Sequence, residues 1–331
     1  MENMYEEMLT PKRAHTIIDL AEIKKGDKVL ILCDFTTAEV GKLLTSQVYN
    51  LDALPILTII PVLKGHGDSA PKPVEEMAMN VDVIIAPMKY NIAHSPLRTE
   101  ALKAGIRLMT PTDILDSLAK GFFDADYYEM REKTIKMAEL LTKAKTAKVT
   151  TAKGTDITIS LEGREGVPLT GFCQKGRLAA PPGMEALCCP VEGTAEGKFV
   201  CDVSVQGLPP ELDIYERLLD EPIEFIVHEG LVKDIKGGKE AKELKEYLES
   251  MNDPTVYNIA ELGVGTNSAL KEFIGSMLDE ALQGGLHIGL GDNVCFPGGK
   301  VESTGHFDPV MSCVTLELDG KTVIKDGKHP I

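Results

Sequence analysis

Short apolar runs alternate with helix-type segments over about the first 120 residues, and this alternation constrains the fold more than any other feature of the chain. The runs are GDKVLILCD (26–34), ALPILTIIP (53–61), VDVIIAPM (81–88) and IRLMTP (106–111). Between and after them lie TTAEVGKLLTSQVYN (36–50), VEEMAMN (74–80), HSPLRTEALKAG (94–105) and TDILDSLAKG (112–121). The last opens on a Thr suited to a helix cap, and it and the segment ending at Gly105 close on glycine. Apolar strands joined through helices predict a parallel sheet with helices on both faces. No GxGxxG follows the first strand, so nothing supports a dinucleotide site.

The pattern then changes. DADYYEMREKTIKMAELLTKAK (124–145) reads as one charged amphipathic helix that leads into a second domain. AKVTTAKGTDITISLEG (147–163) alternates around a Lys-Gly turn, and EPIEFIVHEGLVKDIKGG (221–238) does so around Glu229-Gly230; both predict antiparallel hairpins. EALCCPVEGTAEGKFVCDVSV (185–205) reads as another pair of strands, EAKELKEYLESM (240–251) as a helix, and 255–262, 284–291 and 313–325 as further strands. The fold class is therefore α/β, with an N-terminal parallel-sheet α/β domain (1–147) and a C-terminal α+β domain of mainly antiparallel strands (148–331).

Composition excludes several functions. The net charge of -16 and the lack of a Lys/Arg cluster argue against a nucleic-acid partner. No apolar run reaches the roughly 18 residues of a membrane span, and the acidic start MENMYEEMLT does not read as a signal peptide. Seven scattered Cys without a CxxC fit neither a disulfide framework nor a thiolate zinc site, and point to a reducing cytoplasm. No GxSxG, SxxK, HExxH or P-loop occurs.

The chemistry concentrates in the C-terminal half. In YNIAELGVGTN (257–267), Glu261 shares a strand face with Gly263 and Gly265. In GLHIGLGDN (285–293), His287 shares a face with Gly285, Gly289 and Gly291. Each is a ligand-type side chain on a face stripped of bulk, although alone the His would also suit a hydrogen-bonded core residue and the Glu a turn. In GHFDPV (305–310), His306 and Asp308 project to one side of an extended chain, offering an imidazole nitrogen and a carboxylate oxygen. The Gly-rich loop before His306, 292–305, suits the wall of a site. GMEALCCPVEG (183–193) adds two carboxylates, Glu185 and Glu192. In the N-terminal half, His94 sits at a strand-to-helix turn with Arg98 one helical turn later, at the sheet edge where open α/β folds bind ligands; Asp34 and Thr36 follow the first strand at the same edge.

The ordered set GME, AELGVGTN, LDEALQGGLHIGLGDN and GHFD resembles the aminopeptidase T/S group, and is also similar to the 2,5-dihydroxypyridine 5,6-dioxygenases. AHSPLRTEALKAGIRLMTP and EFIVHEGLVKDIKGGKEA extend the resemblance over nearly the whole chain. The aminopeptidase branch implies two divalent metal ions, with Glu185, Glu261, His287, His306 and Asp308 as ligands. It also implies a Tyr seven residues after the strand His, where this chain has Val294. The dioxygenase branch implies one non-haem iron held by two His and one Asp; His306 and Asp308 match the last two, and Glu261 stands near the first. His94 resembles an acid/base residue of that branch. Homodimers are implied by resemblance alone.

Three functions follow as expectations. The first is metal-assisted amide hydrolysis, aminopeptidase-like, with Zn, Co, Mn or Fe, one or two per chain, and a small-molecule or peptide substrate. Glu185 or Glu280 would carry the proton, His94 would assist catalysis, and Arg98 would bind substrate. The second is ring-opening dioxygenation at one Fe(II). The third is a metal-binding relative without catalysis.

Overall fold

The computed structural model describes residues 10–93 and 95–329. In chain order the elements begin with α1 (Pro11–Leu20), β1 (Lys28–Asp34), α2 (Ala38–Asn50), β2 (Leu54–Ile60), α3 (Lys72–Ala78), β3 (Val83–Ile85), α4 (Pro96–Lys103), β4 (Arg107–Met109), α5 (Ile114–Ala119) and α6 (Tyr127–Lys143). They continue with β5 (Thr146–Thr150), β6 (Asp156–Ser160), β7 (Gly166–Leu169), β8 (Leu178–Ala179), β9 (Glu185–Cys188), β10 (Glu196–Cys201), β11 (Val205–Gln206), β12 (Ile223–His228) and β13 (Leu231–Lys236). The last are α7 (Lys239–Ser250), β14 (Ile259–Gly265), β15 (Leu286–Gly291), β16 (His306–Met311), β17 (Thr315–Leu318) and β18 (Lys321–Ile324). The α/β class, with one parallel sheet and otherwise antiparallel strands, agrees with the sequence reading. No helix among the described residues is long and apolar enough to cross a membrane.

The chain forms two compact units, Met1–Tyr127 with Leu169–Gly183, and Tyr128–Pro168 with Met184–Ile331. This differs from the contiguous 1–147/148–331 division expected above. Helix α6 goes with the second unit, because its apolar side packs Met137, Ala138 and Leu141 into that unit's core. The chain then returns to give the first unit its fifth strand, β8.

In the first unit the sheet order is β2-β1-β3-β4-β8, with every pair parallel. Strand β1 is buried from Val29 to Asp34, as expected of a strand with neighbours on both edges and cover on both faces. Helices α1 and α4 start as capping chemistry dictates. The Thr10 and Ser95 hydroxyls accept from the Arg13 and Arg98 N–H groups at 3.3 and 3.2 Å, and a Pro opens each first turn. Helix α5 departs from expectation. Its cap position is Asp113, at φ 44°, and the Thr112 hydroxyl donates instead to the Ala180 carbonyl at 3.1 Å. The returning segment thus takes the group that local sequence assigned to the helix.

In the second unit, β5–β6 and β12–β13 form the two expected hairpins, the latter turning through left-handed Glu229 and Gly230. Strands β9 and β10, adjacent in sequence, do not pair. Strand β9 joins the six-stranded sheet β11-β16-β15-β14-β9-β7, and β10 joins the seven-stranded sheet β13-β12-β10-β6-β5-β17-β18. The strand expected from residue 255 begins at Ile259, because Asp253 accepts from the Thr255 N–H and hydroxyl and winds Pro254–Tyr257 into a 3-10 turn. One face of the six-stranded sheet supplies Ala186, Cys188, Leu262, Val264, Leu286, Ile288, Leu290 and Phe307 to the core. There they join Val149, Ile157, Phe199 and Phe225 of the other sheet. The Phe199 and Phe225 rings stack at 4.5 Å.

Because Phe199 is fully buried, Phe199→Ala should cost about 3–5 kcal/mol, from lost transfer energy and a residual cavity. Tyr49→Ala on the exposed side of α2 should stay within about 0.5 kcal/mol. Urea unfolding checks both values, and a Phe199→Ala cost below about 1 kcal/mol would contradict the core described here.

Candidate metal centre

A strand sends alternate side chains to opposite faces, so the face of the six-stranded sheet that does not enter the core must carry Glu185, Glu261, His287, His306 and Asp308. The register brings them together. Glu185 on β9 lies opposite Gly265, Gly263 on β14 opposite His287 on β15, and Glu261 opposite Gly289. His306, at the start of β16, lies opposite Gly291. Four neighbouring strands therefore contribute donors to one place.

Glu261 is the centre of the group. Its Oε1 lies 3.4 Å from His287 Nε2, and its Oε2 lies 3.2 Å from His306 Nε2. Glu185 Oε2 is 3.5 Å from His287 Nε2, and Asp308 Oδ1 is 3.2 Å from His306 Nε2. The donor atoms form two triads that share one member, Glu185–Glu261–His287 and Glu261–His306–Asp308. Within each triad, the atoms lie within 4.8 Å of one another.

Three observations fit this set to divalent cations. First, Glu185 Oε2 and His287 Nδ1 are buried without a hydrogen-bond partner, an arrangement proteins seldom leave uncompensated. Second, the space is made by missing side chains. A Cβ at Gly263 would collide with the His287 ring, and one at Gly289 would come within 2.8 Å of both Asp308 Oδ1 and Glu261 Cβ. Third, imidazole nitrogens mixed with carboxylate oxygens suit zinc, cobalt, manganese or iron. His306 is also oriented as a ligand would be, since its Nδ1–H donates to the Asp292 carbonyl at 2.7 Å and leaves Nε2 facing Glu261.

The electrostatics follow from this crowding. Burial pushes the Glu185 carboxyl up to about 8; the His287 charge pulls it down, and Glu261 and Asp308 add to the rise. Burial acts on Glu261 in the same direction, yet hydrogen bonds from His287 and His306 hold it down at about 2. Burial disfavours a charged His287, but Glu185 and Glu261 raise it to about 10. His306 is raised well above the usual imidazole range against the same desolvation, by Asp308 and Glu261. The carboxylates thus favour positive charge at both imidazoles.

Glu280 lies in the 3-10 turn Met277–Ala281, whose backbone packs where Gly265 has no side chain. Burial and then the Asp308 carboxylate push Glu280 well above the carboxylate range, with Glu185 and Glu261 adding to the rise. Glu192 does not join the group. It pairs with Arg164 and accepts from Asn293 Nδ2 and the Lys300 N–H. Val294 is half exposed on the loop before His306. His94 lies outside the described residues. Arg98 is in α4 of the first unit, with its Nε buried and without a hydrogen-bond partner. Asp34 is buried in a local turn, accepting from the Thr36 N–H and hydroxyl and from the Lys89 N–H at 2.7 Å. The sequence reading missed Asp292, which acts through its backbone carbonyl, and Phe296, whose ring meets His306 edge-on at 5.6 Å. Only their place in a Gly-rich loop just before a His pointed to them.

The family model for NicX, 2,5-dihydroxypyridine 5,6-dioxygenase, matches residues 12–330. The chain belongs to the NicX family. It is 28% identical over 247 residues to the 2,5-dihydroxypyridine 5,6-dioxygenase of Pseudomonas putida, covering 71% of this chain and 68% of that relative. The solved structure of 2,5-dihydroxypyridine dioxygenase from the same species superposes with a TM-score of 0.77 at 22% identity, covering 96% of this chain and 95% of the other. Wild-type AmpT from Thermus thermophilus gives 0.70 at 16% identity, over 97% and 99% of the two chains. At these identities both structures bear on the fold alone. Of the two branches that the sequence resembles, sequence kinship places this chain with NicX.

The neighbouring carboxylates push His287 and His306 toward their protonated forms, so a cation bound there competes with protons. Titration calorimetry with Mn(II) or Zn(II) at pH 7, in buffers of different ionisation enthalpy, should show proton release and an affinity that rises with pH. Binding without proton release would contradict this arrangement. Gly263→Ala should remove binding by displacing His287, while leaving the fold intact.

Proposed function

We propose that the chain is a metal-dependent enzyme whose centre takes two divalent cations and hydrolyses an amide of a small molecule or peptide. One observation carries this reading: the two imidazoles fall in separate triads joined by the shared carboxylate of Glu261. Glu185, Glu261 and His287 would hold one cation, and Glu261, His306 and Asp308 the other. Cations held there would supply a water of lowered pKa and polarise the scissile carbonyl.

The remaining steps belong to the chain's own residues. Burial and its acidic neighbours push Glu280 toward its protonated form, which suits it to give a proton to a departing amine. Glu185 stands within a triad, which leaves Glu280 as the proton carrier. The buried face formed by β14, β15 and β16 keeps bulk water from the group and strengthens each charge interaction in it.

A second reading, ring-opening dioxygenation at one Fe(II), is favoured by a different observation: the family model over residues 12–330 and the relative 28% identical to this chain are both named for 2,5-dihydroxypyridine 5,6-dioxygenase. The weight of kinship lies with this second reading, and the hydrolytic one stands on the donor set.

Elemental analysis of protein purified without chelator, followed by two assays, separates the readings. About two Zn, Co or Mn per chain with turnover of aminoacyl-amides supports hydrolysis. One iron per chain with oxygen uptake on a dihydroxylated pyridine supports the oxygenase and removes the hydrolase. Under either, Glu261→Ala should lower turnover by about 100-fold or more, beyond the 10–100-fold typical of residues that only support ligands.

A further inference from the structure

The Arg164–Glu192 pair is left unexplained by the centre itself. Neither residue belongs to its donor triads, and the Arg164 side chain is only 7% exposed. Arg164 Nη2 donates to Glu192 Oε2, and its Nη1 donates to the Gly298 carbonyl. Gly298 has φ +85°, and a Cβ there would strike the guanidinium, so the loop is shaped around this side chain. The other Glu192 oxygen accepts from Asn293 Nδ2 at 3.2 Å and from the Lys300 N–H at 3.0 Å. Asn293 is fully buried, and its Oδ1 accepts from the Val301 N–H at 2.8 Å. The loop is thus tied at 293, 298 and 300 to one ion pair, whose arginine is buried. Two contacts run from its first residues to His306: the Asp292 carbonyl that receives Nδ1–H, and the Phe296 ring against the imidazole.

We propose that Arg164 and Glu192 are positioning residues, which hold the 292–301 loop so that His306 keeps its Nε2 turned to Glu261 and Asp308. The inference rests on the reading of His306 as a cation ligand. A charged pair is suited to the task. A carboxylate that accepts two loop N–H groups while receiving a guanidinium fixes three points with one side chain. Residues that orient a ligand imidazole through its other nitrogen typically change metal affinity by about 10–100-fold.

The test uses the full chain and two variants. The double variant Arg164→Met/Glu192→Gln removes the pair without leaving a charge unpaired, and Glu192→Gln alone is the milder change. Thermal melting of the metal-free proteins shows which are folded. Hydrogen exchange of the 293–301 amides, also without metal, should speed up in the variants. Co(II) titration, followed by the visible absorption of the bound ion, should show affinity lower by about 10–100-fold and an altered band shape for the weaker site. A folded variant that binds Co(II) with the parent's affinity and spectrum overturns the positioning role and leaves the reading of the centre standing. A parent chain that takes up no Co(II) overturns the reading of the centre, and the positioning role with it.

Discussion

The Glu261 carboxylate is buried between two imidazoles, one facing each oxygen, and the rest of the second unit is arranged to make that position tolerable. An isolated charge there would be costly, and two further carboxylates, Glu185 and Asp308, stand beside it. Such a cluster persists only if positive charge balances it or a carboxyl takes up a proton, toward which Glu185 is pushed. The carboxylates draw His287 and His306 toward their protonated forms, and a divalent cation would balance the cluster more compactly, with more than one donor at once. The glycines follow from the same need, because Gly263 and Gly289 leave room for rings and oxygens where any Cβ would intrude.

Much of this was readable from the residues. The glycine-flanked Glu261 and His287 identified a strand face without bulk, and that face is the one on which the donors meet. The parallel sheet followed from apolar runs separated by helices. What the sequence could not show was pairing between distant segments. Strand β9 reads as the partner of β10 yet lies beside β14, and this choice is what brings Glu185 to the centre. Glu185 and Glu192 look alike as added carboxylates; the resemblance picks out Glu185, and in the structure Glu192 turns to Arg164. The division at 147–148 was misplaced for a similar reason. Helix α6 looks like a linker by its charge, whereas its apolar side belongs to the second core. Thr112 was a sound cap by local rules, but a returning segment out-competed the helix for its hydroxyl.

The six-stranded sheet has two faces with opposite demands. One packs aliphatic and aromatic side chains against the second sheet, and the other holds polar donors in register. Since Leu262 and Ile288 alternate along the same strands with Glu261 and His287, slippage of one residue would exchange the faces completely. The packing on one side therefore guards the chemistry on the other.

The first unit draws its fifth strand from residues beyond α6 and three strands of the second unit. During synthesis its sheet must wait, with the β4 edge unpaired, until residue 179 has emerged, although everything else it needs was made some 50 residues earlier. An early half-built sheet is thus an obligatory stage in the life of this chain. The polypeptide also crosses between the units three times rather than once, so no single cut in the backbone frees either unit with all of its parts.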